Sequence, residues 1–162
     1  MKFRLANIND SDKLDILLTK LIQDERTYDD SIDPNFKVKG FYCNVLNMNN
    51  KIIYLCELND VICGYIYLIV EDYTSKIDAL YVEESFRGKG IGTKLIEWAL
   101  NYINDNNIQS ITINVMTENQ NAKKLYQKYG FKIIDETEKR TCMKYSKNLW
   151  KIVWIVGKGD RI

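Results

Sequence analysis

Apolar positions recur along the chain with two periods, and the switches between them mark its elements. Residues 2–6 read as a short strand. Leu14, Leu17, Leu18, Leu21 and Ile22 fall on an i, i+3, i+4 stripe, which predicts a helix ending near Arg26. Asn9, Asp10 and Ser11 stand before it as candidate N-cap residues. A polar connection over 27–34 leads to a second helical pattern over 35–46, with Phe36, Phe41 and Val45 as inner positions and Gly40 as its weak point. Residues 52–58 and 61–70 are apolar runs around the polar pair Asn59-Asp60, the pattern of a hairpin. The second run is almost continuously apolar, as a strand covered on both faces must be. A loop over 71–76 then leads to the buried strand 77–82.

Leu95, Ile96, Ala99, Leu100 and Ile103 share one face of a helix that follows this strand and runs to about 104. A strand over 109–115, a short helix over 121–129 stopped by Gly130, and strands over 131–137 and 141–146 complete the order β-α-α-β-β-β-α-β-α-β-β. The class is α/β (α+β): a central sheet with one βαβ unit in its middle.

Between strand 77–82 and the next helix lies Arg87-Gly88-Lys89-Gly90-Ile91-Gly92. A glycine-rich turn at a helix start leaves backbone N–H groups without partners, and such a site binds anions, phosphates above all. No Gly-Lys-Ser/Thr stands at Walker A spacing, and Thr93 occupies the third glycine position of the dinucleotide fingerprint. The pattern that fits is Arg-x-x-Gly-x-Gly, on Arg87, Gly90 and Gly92.

Charge and cysteine content narrow the classes further. Lys+Arg number 23 and Asp+Glu 22, a net charge of +1, and lysines are scattered, so nucleic acid is not an expected partner. The chain has no histidine, and Cys43, Cys56, Cys63 and Cys142 make no Cys-x-x-Cys pair, so no metal site is expected. No signal-peptide h-region opens the sequence and no apolar run has membrane-spanning length, so the expected setting is the reduced cytoplasm, away from membranes.

The Arg87–Gly92 loop resembles the acetyl-CoA pyrophosphate loop of the GNAT superfamily of N-acetyltransferases. A second stretch strengthens the resemblance: Asn119, Ala122, the pair Leu125-Tyr126 and Gly130-Phe131 stand at the spacings of a GNAT segment. The resemblance covers residues 1–149 as one domain and implies the GNAT fold, a mixed and mostly antiparallel sheet with helices on both faces. It implies acetyl-CoA as co-substrate, with Arg87, Gly88, Lys89, Gly90, Ile91, Gly92 and Thr93 around the pyrophosphate. Leu80, Tyr81 and Val82 would lie along the pantetheine, with Asn119 touching it. A bulge in strand 77–82 would splay it from its neighbour. An amide near Tyr81 or Val82 would face the thioester oxygen.

In the same resemblance Tyr126 is the acid that protonates the departing thiolate, and Asp78 is the first-ranked base. Each residue also has a structural reading: Tyr126 as a helix anchor, Asn119 as an N-cap, Gly130 as a helix stop, Asp78 as a solvated carboxylate. The acceptor would be a small-molecule or peptide amine. The first two helices usually wall its site, where Asp24, Glu25, Tyr28, Asp29, Asp30 and Asp33 make an acidic, aromatic stretch suited to a cationic amine. Within it Glu25, Tyr28 and Asp29 are the candidate acceptor contacts, and a solvated polar loop is the alternative. An acyl-CoA-binding module without catalysis is the alternative for the whole domain. The apolar stretch 150–156, part of an extension over 150–162, has three candidate roles: an added strand, a sheet cover or a homodimer contact.

Overall fold

The computed structural model describes residues 1–147. The strands are β1 (Lys2–Leu5), β2 (Lys51–Leu58), β3 (Val61–Glu71), β4 (Thr74–Val82), β5 (Ser110–Met116), β6 (Lys132–Glu136) and β7 (Arg140–Ser146). The helices are α1 (Ser11–Asp24), α2 (Phe41–Val45), α3 (Ile91–Asp105) and α4 (Gln120–Lys128). All seven strands form one sheet in the order β1-β2-β3-β4-β5-β7-β6. Neighbours are antiparallel except β4 and β5, which run parallel and are joined through α3. The mixed sheet with a central βαβ unit is the architecture the sequence implied.

The helices bury apolar stripes on both faces of this sheet. On one side Leu95, Ile96, Ala99 and Ile103 of α3 and Tyr126 of α4 pack over Ile66, Leu68, Ile77, Ile111 and Ile113. On the other, Leu14 and Leu17 of α1 and Tyr42 and Val45 of α2 pack over Leu55, Tyr65, Tyr67, Ala79 and Tyr81. β3 is buried on both sides, which accounts for its unbroken apolar run. The Asn59-Asp60 turn has positive φ at both residues, 50° and 63°, the backbone that two-residue hairpins require.

Two expectations need correction. The second helix is only Phe41–Val45, because Gly40 (φ 72°) takes the left-handed conformation and starts the helix instead of lying within it. Phe36 and Phe41 are both exposed, and the residues that fill the core are Tyr42 and the expected Val45. The buried Asp15 of α1 holds this start, its carboxylate accepting from the amides of Gly40 (2.5 Å) and Tyr42 (3.0 Å). The loop over 71–76 is also much shorter. β3 extends to Glu71 and β4 begins at Thr74, with Asp72 at φ 49° making the reversal. The stretch 150–156 and the boundary at 149 lie outside the described residues.

One irregularity positions the site. Tyr67 stands opposite Ala79 and Leu68 opposite Ile77, so Asp78 is an extra residue on β4. Such a bulge bends a strand and reverses which face its side chains take. Ile77 therefore packs under α3, while Ala79 and Tyr81 pack under α1 and α2.

Candidate active site

The bulge coincides with a parting of the sheet. β4 and β5 pair from Thr74–Ser110 to Ile77–Ile113, and there the pairing ends. β5 continues to pair with β7 through Asn114, Val115 and Met116, but the remainder of β4 has no partner on its β5 side. A cleft of about 620 Å³ fills the opening. Its walls are Ile77 to Val82 of β4, Ile113 to Met116 of β5, the start of α4 with Asn119, Asn121, Ala122, Leu125 and Tyr126, and the end of α1 with Leu21, Asp24, Glu25, Thr27 and Tyr28. Arg87 also lines it.

The unpaired edge of β4 is a row of hydrogen-bonding groups. The amide of Glu83 donates to the Cys63 carbonyl at 2.9 Å. Alternation along an antiparallel strand then turns Tyr81 toward β3 and leaves the Leu80 and Val82 amides facing the parting. An extended amide chain laid in the cleft meets complementary groups there.

Beyond Arg87 the chain turns into α3 through Gly88 (φ 74°) and Gly90 (φ 78°), conformations that cost glycine little. The first amide after them with a backbone acceptor is that of Lys94, which donates to Gly90 at 3.1 Å. Among the described residues, those of Gly88 through Thr93 have no acceptor, and they sit at the positive end of the helix dipole. Of the loop only Arg87 lines the cleft; Gly88, Lys89, Gly90, Ile91, Gly92 and Thr93 are not part of its wall. Arg87 is engaged within the protein: Nε donates to the Val82 carbonyl (2.9 Å) and Nη2 to Asp24 (2.6 Å). Lys89 stands 4.9 Å over the Phe86 ring.

Tyr126 is 3% exposed and lies edge-on to Phe131 at 5.3 Å. Burial raises its hydroxyl pKa above the ordinary tyrosine value, so it stays protonated well past neutrality. Its hydroxyl has no hydrogen-bond partner among the described residues. Asn119 does cap α4, accepting from the Ala122 amide at 3.1 Å, and it also lines the cleft. Gly130 (φ 88°) stops the helix, as its structural reading had it. Asp78 lines the cleft from the bulge, with Lys76 Nζ 2.7 Å from its carboxylate.

The acidic stretch is less free than the sequence implied. Arg140, the first residue of β7, holds Glu25 at 2.9 and 3.2 Å, and Lys139 on the turn before it reaches Asp29 at 3.2 Å. Asp29 is turned onto Ser31, whose hydroxyl and amide, with Lys139, hold its carboxyl below the usual range; it does not line the cleft. Glu25 and Tyr28 do. Sequence reasoning missed Asn114, an exposed polar residue on β5 that lines the cleft. Nothing in its neighbourhood in sequence marks it, because its place follows from where β4 and β5 part.

The model of the acetyltransferase (GNAT) family matches residues 17–131. The chain is 32% identical over 104 residues to "Probable N-acetyltransferase san" of Drosophila melanogaster, covering 60% of this chain and 55% of that protein. It is 33% identical over 105 residues to "N-alpha-acetyltransferase 50" of Danio rerio, covering 61% of each. It thus spans little more than half the length of these relatives. In fold it is similar to the PaiA N-acetyltransferase of Thermoplasma acidophilum solved in complex with coenzyme A, with a TM-score of 0.75 at 18% identity over 91% of this chain and 100% of that one. With the family model matched across the parted strands, the glycine loop and α4, this chain belongs to the acetyltransferase (GNAT) family.

Proposed function

We propose that this chain transfers the acetyl group of acetyl-CoA directly to a primary amine. The observation that carries the reading is the parting of β4 from β5 after Ile77–Ile113, beside a helix start whose Gly88–Thr93 amides are free. The residues fit the co-substrate: the free amides, with Arg87, suit a pyrophosphate, and the Leu80 and Val82 amides suit the amide-bearing arm. Acetyl-CoA supplies a thioester already activated for acyl transfer. The chain supplies orientation and charge. The Leu80 or Val82 amide donates to the thioester oxygen as negative charge develops there. The buried Tyr126 hydroxyl delivers a proton to the leaving sulfur.

An alkylammonium, with a pKa near ~10.4, must lose a proton before it attacks. Asp78 is the proposed acceptor of that proton, since it sits on the bulge at the wall of the cleft. Asp78→Asn that leaves the pH–rate profile unchanged removes it from this role. Glu25 and Tyr28 are proposed to wall the acceptor site, while Asp29 stands away from it. The name of the Danio rerio relative, an N-alpha-acetyltransferase, supports an α-amine among these acceptor classes.

The deciding experiment is release of free coenzyme A from acetyl-CoA in the presence of a polyamine, an aminoglycoside, free amino acids, a lysine peptide and a peptide with a free N-terminus. Turnover with at least one amine is expected. Calorimetric binding of coenzyme A with no turnover across the panel replaces this reading with that of an acyl-CoA-binding module.

A further inference from the structure

An ion pair joins the two halves of the cleft. Asp24 ends α1 and lines the acceptor side next to Glu25 and Tyr28. Arg87 begins the glycine loop on the donor side. They meet at 2.6 Å, and the Arg87 guanidinium also lies 5.5 Å from the centre of the Tyr81 ring. We propose that Asp24 is a binding residue for the incoming ammonium group, masked by Arg87 until a phosphate of coenzyme A draws Arg87 away. This rests on the acetyl-CoA reading above.

The direction of the exchange follows from exposure and chemistry. The two side chains are 49% and 51% exposed, so the pair is solvated and weak. A phosphate offers the guanidinium a planar, two-point contact with greater charge. The amides of Gly88 to Thr93 gather such a phosphate next to Arg87. The other acids of the rim are held differently. Glu25 is tied to Arg140 at the start of β7 and Asp29 to Lys139 on the turn before it, and neither belongs to the phosphate loop. Asp24 alone among these three is tied to a residue that coenzyme A itself engages. Before exchange, the cleft presents an acid already neutralised by an arginine that repels a cationic amine. After exchange, the arginine's charge is spent on phosphate and the carboxylate faces the cleft. Both changes favour a cationic acceptor, so the donor should bind first.

The test is calorimetric, with spermidine as the cationic amine and coenzyme A as the donor product. In the wild-type chain, saturating coenzyme A should tighten spermidine binding by about five-fold or more, and spermidine should tighten coenzyme A by the same factor. In Asp24→Asn, coenzyme A should bind as well as or better than in the wild type, because no ion pair must be broken, and the gain for spermidine should vanish. Asp24→Asn that weakens coenzyme A overturns the proposal and makes Asp24 a support for Arg87. A gain that survives in Asp24→Asn, or spermidine binding that coenzyme A leaves unchanged or undetectable in the wild type, also overturns it. Wild-type protein that binds no coenzyme A overturns the acetyl-CoA reading itself, a result distinct from the others.

Discussion

The hydroxyl of Tyr42 donates to the hydroxyl of Tyr65 at 2.9 Å, wholly inside the layer between α2 and the sheet. Beside them Tyr67 lies edge-on to Tyr42 at 5.7 Å, and its buried hydroxyl has no partner among the described residues. Burial, helped by the nearby Asp78 charge, pushes the Tyr67 hydroxyl up to about 12. An unpaired buried hydroxyl costs about 1–3 kcal/mol, while one of a matched pair is compensated. Tyr67→Phe should therefore leave stability unchanged or raise it by about 1 kcal/mol. Tyr42→Phe should lower it by about 1–3 kcal/mol, since it orphans Tyr65. Denaturant melts of the two variants measure this; equal losses in both would show that Tyr67 is paired after all.

How far the sequence reached follows from the range of each interaction. The hairpin at Asn59-Asp60, the glycine turn at Gly88 and Gly90, and the α4 stop at Gly130 were legible because a few adjacent residues determine each of them. Phe36 was misplaced because the pattern over 35–46 looks helical, whereas Gly40 takes φ 72° and Asp15, 25 residues away in sequence, fixes where α2 begins. Asn114 and the masking of Asp24 by Arg87 were illegible for the same reason. The parting of β4 from β5 decides what faces the cleft, and the Asp24–Arg87 pair joins residues 63 positions apart.

Gly64 of β3 stands opposite Val82 and has no room for a side chain. A Cβ there would lie 2.8 Å from the Tyr81 carbonyl oxygen and 3.2 Å from Cγ2 of Ile91. The first contact is with backbone, which cannot swing aside as a side-chain end can. Gly64→Ala should cost about 1–3 kcal/mol, as overpacked cores do. The Tyr81–Val82 segment must shift to relieve the contact, so coenzyme A affinity should fall as well. Calorimetry alongside a thermal melt separates the outcomes; lost stability with intact affinity would mean that the strain is absorbed away from the cleft.

Arg4 binds both carboxylate oxygens of the buried Asp10, at 2.8 and 2.9 Å, and also pairs with Glu57. Asp10 further accepts from the Asn7 amide at 2.8 Å. The Arg4 hydrogen bonds, more than any other cause, hold the Asp10 carboxyl below its ordinary value near ~3.9. A carboxyl lowered in the folded state adds stability above its unfolded value and loses it as pH falls through the folded one. Asp10 should thus stabilise the chain fully above pH ~5 and progressively less below pH ~4. Asp10→Asn should be less stable at pH 7 and show a shallower acid slope, read from denaturant melts between pH 7 and 2.5. Parallel slopes in the two proteins would place the acid sensitivity elsewhere.

Tyr126 has the features of a proton donor to the cleft: it lines the wall, burial keeps its hydroxyl protonated, and no described residue holds that hydroxyl in place. Its ring packs on Phe131 at 5.3 Å, a contact that phenylalanine retains. Tyr126→Phe should therefore fold normally and bind acetyl-CoA with little change in KM. A positioned general acid contributes about 10²–10⁴-fold, so kcat should fall within that range. Because burial raises the hydroxyl pKa, the wild-type rate should show no loss assignable to Tyr126 up to pH ~10. A kcat within about three-fold of wild type, far below that contribution, would leave Tyr126 as a packing residue and hand the thiolate's proton to solvent.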